Sequence, residues 1–144
     1  MKVKDCMTRE VRLVGPDETI AEAARAMAES DCGALPVATP DRLVGMITDR
    51  DIAVRGIAAG LGPETKVSDV MSREVMYCYE DDATDDVLMN MGDIQVRRLP
   101  VVDGDKKLVG IISLSDLADG REQPAGEALC LIARSGGQHT QSVH

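Results

Sequence analysis

The feature that most constrains this chain is an internal repeat. Val3-Lys4-Asp5-Cys6-Met7-Thr8-Arg9-Glu10-Val11 returns 64 positions later as Val67-Ser68-Asp69-Val70-Met71-Ser72-Arg73-Glu74-Val75, with six of nine residues identical. Leu35-Pro36-Val37 returns as Leu99-Pro100-Val101 at the same offset, and Leu43–Ala53 returns as Leu108–Ala118 with the offset grown to 65. In all, 15 of 23 compared positions agree, where ordinary residue frequencies give about one or two. A half of roughly 60 residues buries too little surface to be comfortable alone, so the two copies are expected to share burial. The one inserted residue falls between Val37 and Leu43, where Pro40-Asp41 reads as a turn opposite the Asp103-Gly104-Asp105 turn of the second copy.

Each copy predicts the same element order. Glu10–Val14 alternates and is β-rich, which reads as a strand stopped by Gly15-Pro16-Asp17. Thr19-x-x-Glu22 is a capping-box pattern, and Ile20, Ala23, Ala24, Met27 and Ala28 behind it fall on one helical face. Ala34–Thr39 and Leu43–Thr48 are short apolar strands, Asp49 to about Ala59 reads as a helix, and Gly60-Leu61-Gly62-Pro63 ends it. The second copy gives a strand over Val75–Tyr79, then a helix carrying Val87, Leu88, Met91 and Ile94, with Gly92 as its weak spot. Strands over Leu99–Val102 and Leu108–Ile112 follow, then a helix from about Leu114. The predicted fold is α/β (α+β): two β-α-β-β-α repeats packed sheet to sheet with pseudo-two-fold symmetry. The expected organisation is a first repeat over 1–60, a linker over 61–66 and a second repeat over 67–120. Residues 121–144 are read as a further short helix over Ala128–Ala133 and a loose tail from Ser135.

Charge and composition narrow the function. The net charge is −9, with no Trp, no Phe and two Tyr, so the core must be aliphatic and the chain offers neither a basic footprint nor stacking platforms for nucleic acid. A single nucleotide is a different case, because a few local arginines can hold its phosphates. No apolar leader is visible at the N-terminus and no run approaches the ~20 residues of a membrane span, so a cytoplasmic protein without membrane contact is expected. Cys6, Cys32, Cys78 and Cys130 form no CxxC pair, which predicts no metal site and reads as free thiols in a reducing compartment. The redox state of these four thiols is left open.

The repeated residues resemble a known family. A Met-Thr or Met-Ser near the start, a Leu-Pro-Val, and an LVGMITDRDIA or LVGIISLSDLA ending are similar to the CBS domain. Their tandem arrangement over residues 1 to about 120 resembles a CBS pair, or Bateman module, of the stand-alone bacterial kind that includes hypoxic-response proteins. The resemblance implies a regulatory, energy-sensing module rather than an enzyme. It implies an adenosine ligand (AMP, ADP or ATP, in some members S-adenosylmethionine or an NAD-type molecule) in clefts between the repeats. It implies homodimerisation too, with no obligatory cofactor.

The residues say what such a ligand would meet. Thr48 and Asp51 sit where a strand gives way to a helix, and Ser113 and Asp116 repeat them. A carboxylate can accept from both ribose hydroxyls at once, and the resemblance implies that these four residues contact ribose. The same Thr/Ser-x-x-Asp spacing is also a capping box that simply starts a helix; the two roles are compatible. By resemblance, adenine would lie against Val11, Arg12 and Leu13 or Val75, Met76 and Tyr77, and against Ala34, Leu35 and Pro36 or Arg98, Leu99 and Pro100. Phosphate needs cations, and the candidates are Arg50, Arg55, Arg97 and Arg98. The copies differ here: the first has Asp49-Arg50-Asp51 where the second has Leu114-Ser115-Asp116, and Gly33-Ala34 where the second has Arg97-Arg98, so two inequivalent sites are expected. The two histidines, His139 and His144, lie in the tail, and no Ser or Cys nucleophile has a histidine placed to serve it. The Asp81-Asp82 and Asp85-Asp86 clusters read as favourable charge at a helix start. The alternative to ligand binding is a homodimeric interaction protein on the same fold, with a further protein partner left open.

Overall fold

A computed structural model describes residues 1–118 and 122–132, without the side chains of 122–125 and 127. The tail read from Ser135 onward, with both histidines, lies outside the described residues.

The chain divides into two compact units whose boundaries are not those of the sequence repeats. The first unit is Arg12–Val75 with Lys106–Leu108; the second is Met1–Val11, Met76–Asp105 and the chain from Val109. Each repeat therefore gives up its leading segment to the unit built from the other repeat.

In the first unit, α1 (Ile20–Ser30) starts at Thr19, whose hydroxyl accepts from the Glu22 N–H at 3.1 Å. It ends on Asp31 in the left-handed conformation at φ 50°. Strands β1 (Ala34–Ala38) and β2 (Leu43–Thr48) form an antiparallel pair with Ala34 opposite Thr48 and Pro36 opposite Met46. Met46 turns its N–H and C=O to Ser72, so the N–H that Pro36 lacks across from it costs the ladder no bond. The predicted helix after β2 is present, but Asp51–Ile57 winds as a π-helix, closed by an Ala58 N–H donating to Ala53 O. Ile20, Ala23, Met27, Leu35, Val37, Ile47, Val67 and Met71 are among the residues that form the core. Burying each Leu or Ile contributes about 1.5–3 kcal/mol.

The second unit repeats this plan. Strand β3 (Cys78–Tyr79) runs parallel to β4 (Arg98–Val102), which neighbours β5 (Leu108–Ser113). Helix α2 (Thr84–Ile94) ends on Gln95 at φ 59°, as α1 ends on Asp31. Helix α3 (Leu114–Ala118) follows β5, and α4 (Glu122–Ile132) packs against α2 and α3. Val3, Val87, Leu88, Met91, Leu99, Val101, Ile112 and Leu117 are among its core residues.

Both strands expected at the start of each repeat are corrected. Over Glu10–Val14 only Val14 pairs, in a parallel bridge to Val37, and over Val75–Tyr79 only Cys78–Tyr79 is strand. The physical reason is that the unit boundaries fall at Val11/Arg12 and Val75/Met76, inside these segments. A stretch that leaves one unit for the other cannot keep one ladder along its length.

The exchange also explains the repeated Leu-Val-Gly. In the first unit Ser72 and Met46 exchange backbone hydrogen bonds of 2.8 and 3.0 Å; in the second, Thr8 and Ile111 exchange two of 2.9 Å. A Cβ on Gly45 would stand 2.7 Å from Met71 Sδ and 2.8 Å from Ser72 O. A Cβ on Gly110 would stand 2.7 Å from Met7 Sδ and 2.8 Å from Thr8 O. The Met-Thr or Met-Ser of one repeat thus crosses directly over the Gly of the other, and only glycine admits it.

Candidate functional site

The two predicted ribose pairs occupy equivalent places at the ends of β2 and β5. In the first unit the Thr48 N–H donates to Asp51 Oδ2 at 3.0 Å, and the Asp51 N–H donates to Thr48 Oγ1 at 3.0 Å. In the second unit the Ser113 N–H donates to Asp116 Oδ2 at 3.0 Å, and the Asp116 N–H donates to Ser113 Oγ at 3.2 Å. Both pairs are therefore reciprocal caps, the structural role that the spacing allowed. Capping uses one carboxylate oxygen of each Asp and leaves each hydroxyl its own proton to donate.

The second carboxylate oxygens differ. Asp51 Oδ1 lies 3.8 Å from Arg55 Nε, and Arg55 Nη1 donates to Met71 O at 3.3 Å and Val70 O at 3.5 Å. Arg55 therefore straps the π-helix to the borrowed segment while its Nε pairs with Asp51. Its counterpart by the repeat offset is Gly120, so the i,i+4 cation of the first copy is not repeated in the sequence of the second. There Ser113 Oγ lies instead 2.9 Å from Ser115 Oγ.

The other candidates distribute as follows. Ala34 is the register partner of Thr48, and Pro36 in the same strand is buried. Arg12 and Leu13 precede the Val14 that pairs with β1, and Leu13 is 37% exposed. In the second unit Arg97 O accepts from the Leu114 N–H at 2.8 Å beside the Ser113 cap. Arg97 and Arg98 are exposed, while Leu99 and Pro100 are buried. Arg50 is half-buried and follows Asp49, whose Oδ1 accepts its N–H at 2.8 Å. Val11 and Leu13 belong to different units, as do Val75 and Tyr77. The Tyr77 and Tyr79 rings meet edge to face, with centroids 5.7 Å apart, and hydrogen bonding with Tyr77, which favours the protonated Tyr79 hydroxyl, is the first cause that raises its pKa. Between them Cys78 is buried, and burial, with Asp82 adding to it, pushes its thiol up to about 12. Such a thiol is inert, whereas Cys130 is exposed.

Sequence reasoning missed Gly45, Gly110 and the second role of Arg55. The repeated LVG was the available signal for the glycines. Among the described residues no three or more His, Cys, Asp or Glu gather to hold a metal, and no helix is long and apolar enough to cross a membrane.

Comparison with known proteins agrees with this architecture. The family model described as CBS domain matches residues 3–55 and 67–123. The CBS domain-containing protein YhcV of Bacillus subtilis is 44% identical over 144 residues, covering 99% of this chain and 98% of its own. A crystal structure of Hypoxic Response Protein I with two coordinated zinc ions superposes with a TM-score of 0.75 at 40% identity, covering 83% of this chain and 98% of that one. A crystal structure of CBSX2 in complex with AMP superposes with a TM-score of 0.73 at 26% identity, covering 85% of this chain and 96% of that one. The chain belongs to the CBS domain family and carries two CBS domains in tandem.

Proposed function

We propose that this protein is a regulatory CBS-pair module that binds an adenosine nucleotide and has no catalytic activity of its own. The observation that supports the reading is the twice-built strand end, where each capped carboxylate has a second oxygen that the cap does not use, beside a Thr or Ser hydroxyl. That pairing matches two adjacent ribose hydroxyls. Apolar neighbours such as Pro36 and Pro100 suit a base, and Arg50, Arg97 and Arg98 suit phosphate. With a net charge of −9, the singly phosphorylated ligand is easier to hold than the triphosphate. AMP in the CBSX2 complex supports the same ligand class. The protein acts as a cytoplasmic homodimer whose conformation or partner contacts change on binding.

The test is a thermal-shift series with AMP, ADP, ATP, S-adenosylmethionine and NADH on the wild type, Asp51→Asn and Asp116→Asn. Asparagine keeps an oxygen for the cap but loses the charged acceptor. A saturable rise in Tm with an adenosine ligand, reduced by at least one variant, is expected. A flat series from nucleotide-free protein contradicts the ligand reading and leaves the homodimeric interaction protein.

A further inference from the structure

We propose that Arg55 couples occupancy of the first strand end to the hold on the borrowed segment Val67–Val75: a ligand that takes Asp51 Oδ1 hands the guanidinium over to the backbone of that segment. The inference rests on the adenosine reading above and adds a means of regulation at that same site.

Arg55 stands between two partners and is held closely by neither. Its Nε lies 3.8 Å from Asp51 Oδ1, while its Nη1 donates to Met71 O at 3.3 Å and to Val70 O at 3.5 Å. A guanidinium wholly committed to a carboxylate sits about 2.7–2.9 Å from it. The cap takes Asp51 Oδ2 and leaves Oδ1, so a ribose hydroxyl and Arg55 compete for the same oxygen. Asp51 and Arg55 both stand on the π-helix, a winding found frequently at functional sites.

What Arg55 grips is the place where the borrowed segment is seated. Val70 and Met71 are buried, the Met71 N–H donates to Val67 O at 2.9 Å, and the next residue, Ser72, exchanges its two bonds with Met46. The chain leaves this unit after Val75, so the grip lies shortly before that passage. A hydroxyl donating to Oδ1 draws on the same negative charge that holds Nε. The guanidinium is then free to close on Val70 O and Met71 O, and the segment is held more firmly. Linkage makes the effect reciprocal: a firmer segment draws Arg55 off Oδ1 and favours the ligand. The second copy keeps the capped carboxylate and the crossing, but its sequence has Gly120 where the first has Arg55, so it serves as an internal control.

Amide hydrogen exchange of the full, isotope-labelled chain, followed by NMR with and without AMP, tests the proposal. AMP is raised in each sample until the Thr48 and Asp51 amide signals stop moving, which reports the ligand at this end. Exchange at the Met71 and Ser72 amides, taken relative to Ile47 in the same core, reports the segment. In the wild type AMP is expected to slow Met71 and Ser72 about threefold or more beyond Ile47. Met7 and Thr8, their counterparts in the second copy, are expected to stay in step with Ile112 in the core of their own unit. Arg55→Met removes both the charge and the donors. Arg55→Gln keeps an amide that can donate to a carbonyl but carries no charge for Asp51. Arg55 is exposed, so both variants are expected to fold, and in both the extra slowing should vanish at saturating AMP. Wild-type Thr48 and Asp51 signals that ignore AMP overturn the ligand reading at this end, and the coupling with it. Signals that move without extra slowing at Met71 and Ser72, extra slowing that survives either variant, or equal slowing at Met7 and Thr8 overturn the coupling alone. Variants whose Thr48 and Asp51 signals never move overturn it too, because Arg55 then holds the ligand itself.

Discussion

The two units are built from one repeated text, yet among the described residues one has its helical groove filled and the other does not. In the second unit α4 lies over Gly92 and is held by Gln95; in the first, Ala28 and Asp31 stand at the same places with no helix from the described residues over them. The difference comes down to few side chains. Glycine at the crossing and an amide donor at the helix end accept a helix arriving with its carbonyls. Alanine and a carboxylate offer neither the gap nor the donor. A duplicated fold can therefore cover this face in one copy and leave it exposed in the other by changing few positions.

The largest effect expected from breaking this contrast is at Gly92. Gly92→Leu drives a side chain into the α4 backbone and should lower unfolding stability by about 2–4 kcal/mol in urea titration, since the displaced atoms are backbone that cannot yield. Ala28→Leu at the equivalent exposed site should leave the intrinsic stability of the monomer within about 0.5 kcal/mol. Equal losses at the two sites would mean that the grooves are not different.

Next come the features that the units share. Gly45→Ala and Gly110→Ala each place a Cβ 2.8 Å from a backbone oxygen and should cost about 1–3 kcal/mol, with similar values in both units. Thr48→Val and Ser113→Ala remove the hydroxyl that accepts the Asp51 or Asp116 N–H, and each should cost about 1 kcal/mol in the same assay.

The smallest effect concerns an ion pair at the surface. Lys2 faces Asp81 at 3.5 Å, and its counterpart Lys66 faces Asp17 at 3.6 Å, but Lys4 adds a 2.9 Å partner to Asp81 only. The Lys4 hydrogen bond and charge hold the Asp81 carboxyl below its usual range. A carboxylate with a lowered folded pKa contributes stability above its unfolded pKa and loses it as pH falls through the folded value. Lys4→Ser, the residue of the other copy, should therefore raise the Asp81 midpoint toward that of an ordinary carboxylate, as read by carboxyl NMR titration. An unchanged midpoint would discount Lys4 as the cause.

Much of this was legible in the sequence, because both copies vote for each element. The helices at Ile20 and Thr84, the four hairpin strands and the two Thr/Ser-x-x-Asp turns lie where periodicity and capping chemistry put them. The leading strands were not legible. Val11 and Val75 alternate like strand residues, but alternation does not report that the chain changes unit beside them. Gly92 read as a weak helix position, because propensity is local and the helix that needs the gap lies some 35 residues on. The second partner of Asp51 was hidden for the same reason. Arg55 is in register with it as an i,i+4 pair, but its strap to Met71 O depends on the exchanged segment. Whether the capped turns also meet a ligand is a property of what approaches them, which spacing does not encode.

The central claim, that both capped strand ends face an adenosine ligand, is tested most directly by titrating AMP into isotope-labelled protein and following backbone amides. The account predicts saturable shifts at Thr48, Asp51, Ser113 or Asp116, with distinct affinities if both ends are occupied. Those of Thr48 and Asp51 should vanish in Asp51→Asn, and those of Ser113 and Asp116 in Asp116→Asn. Amides at both turns that stay in place while AMP shifts other residues, or a spectrum unchanged throughout the titration, would contradict it.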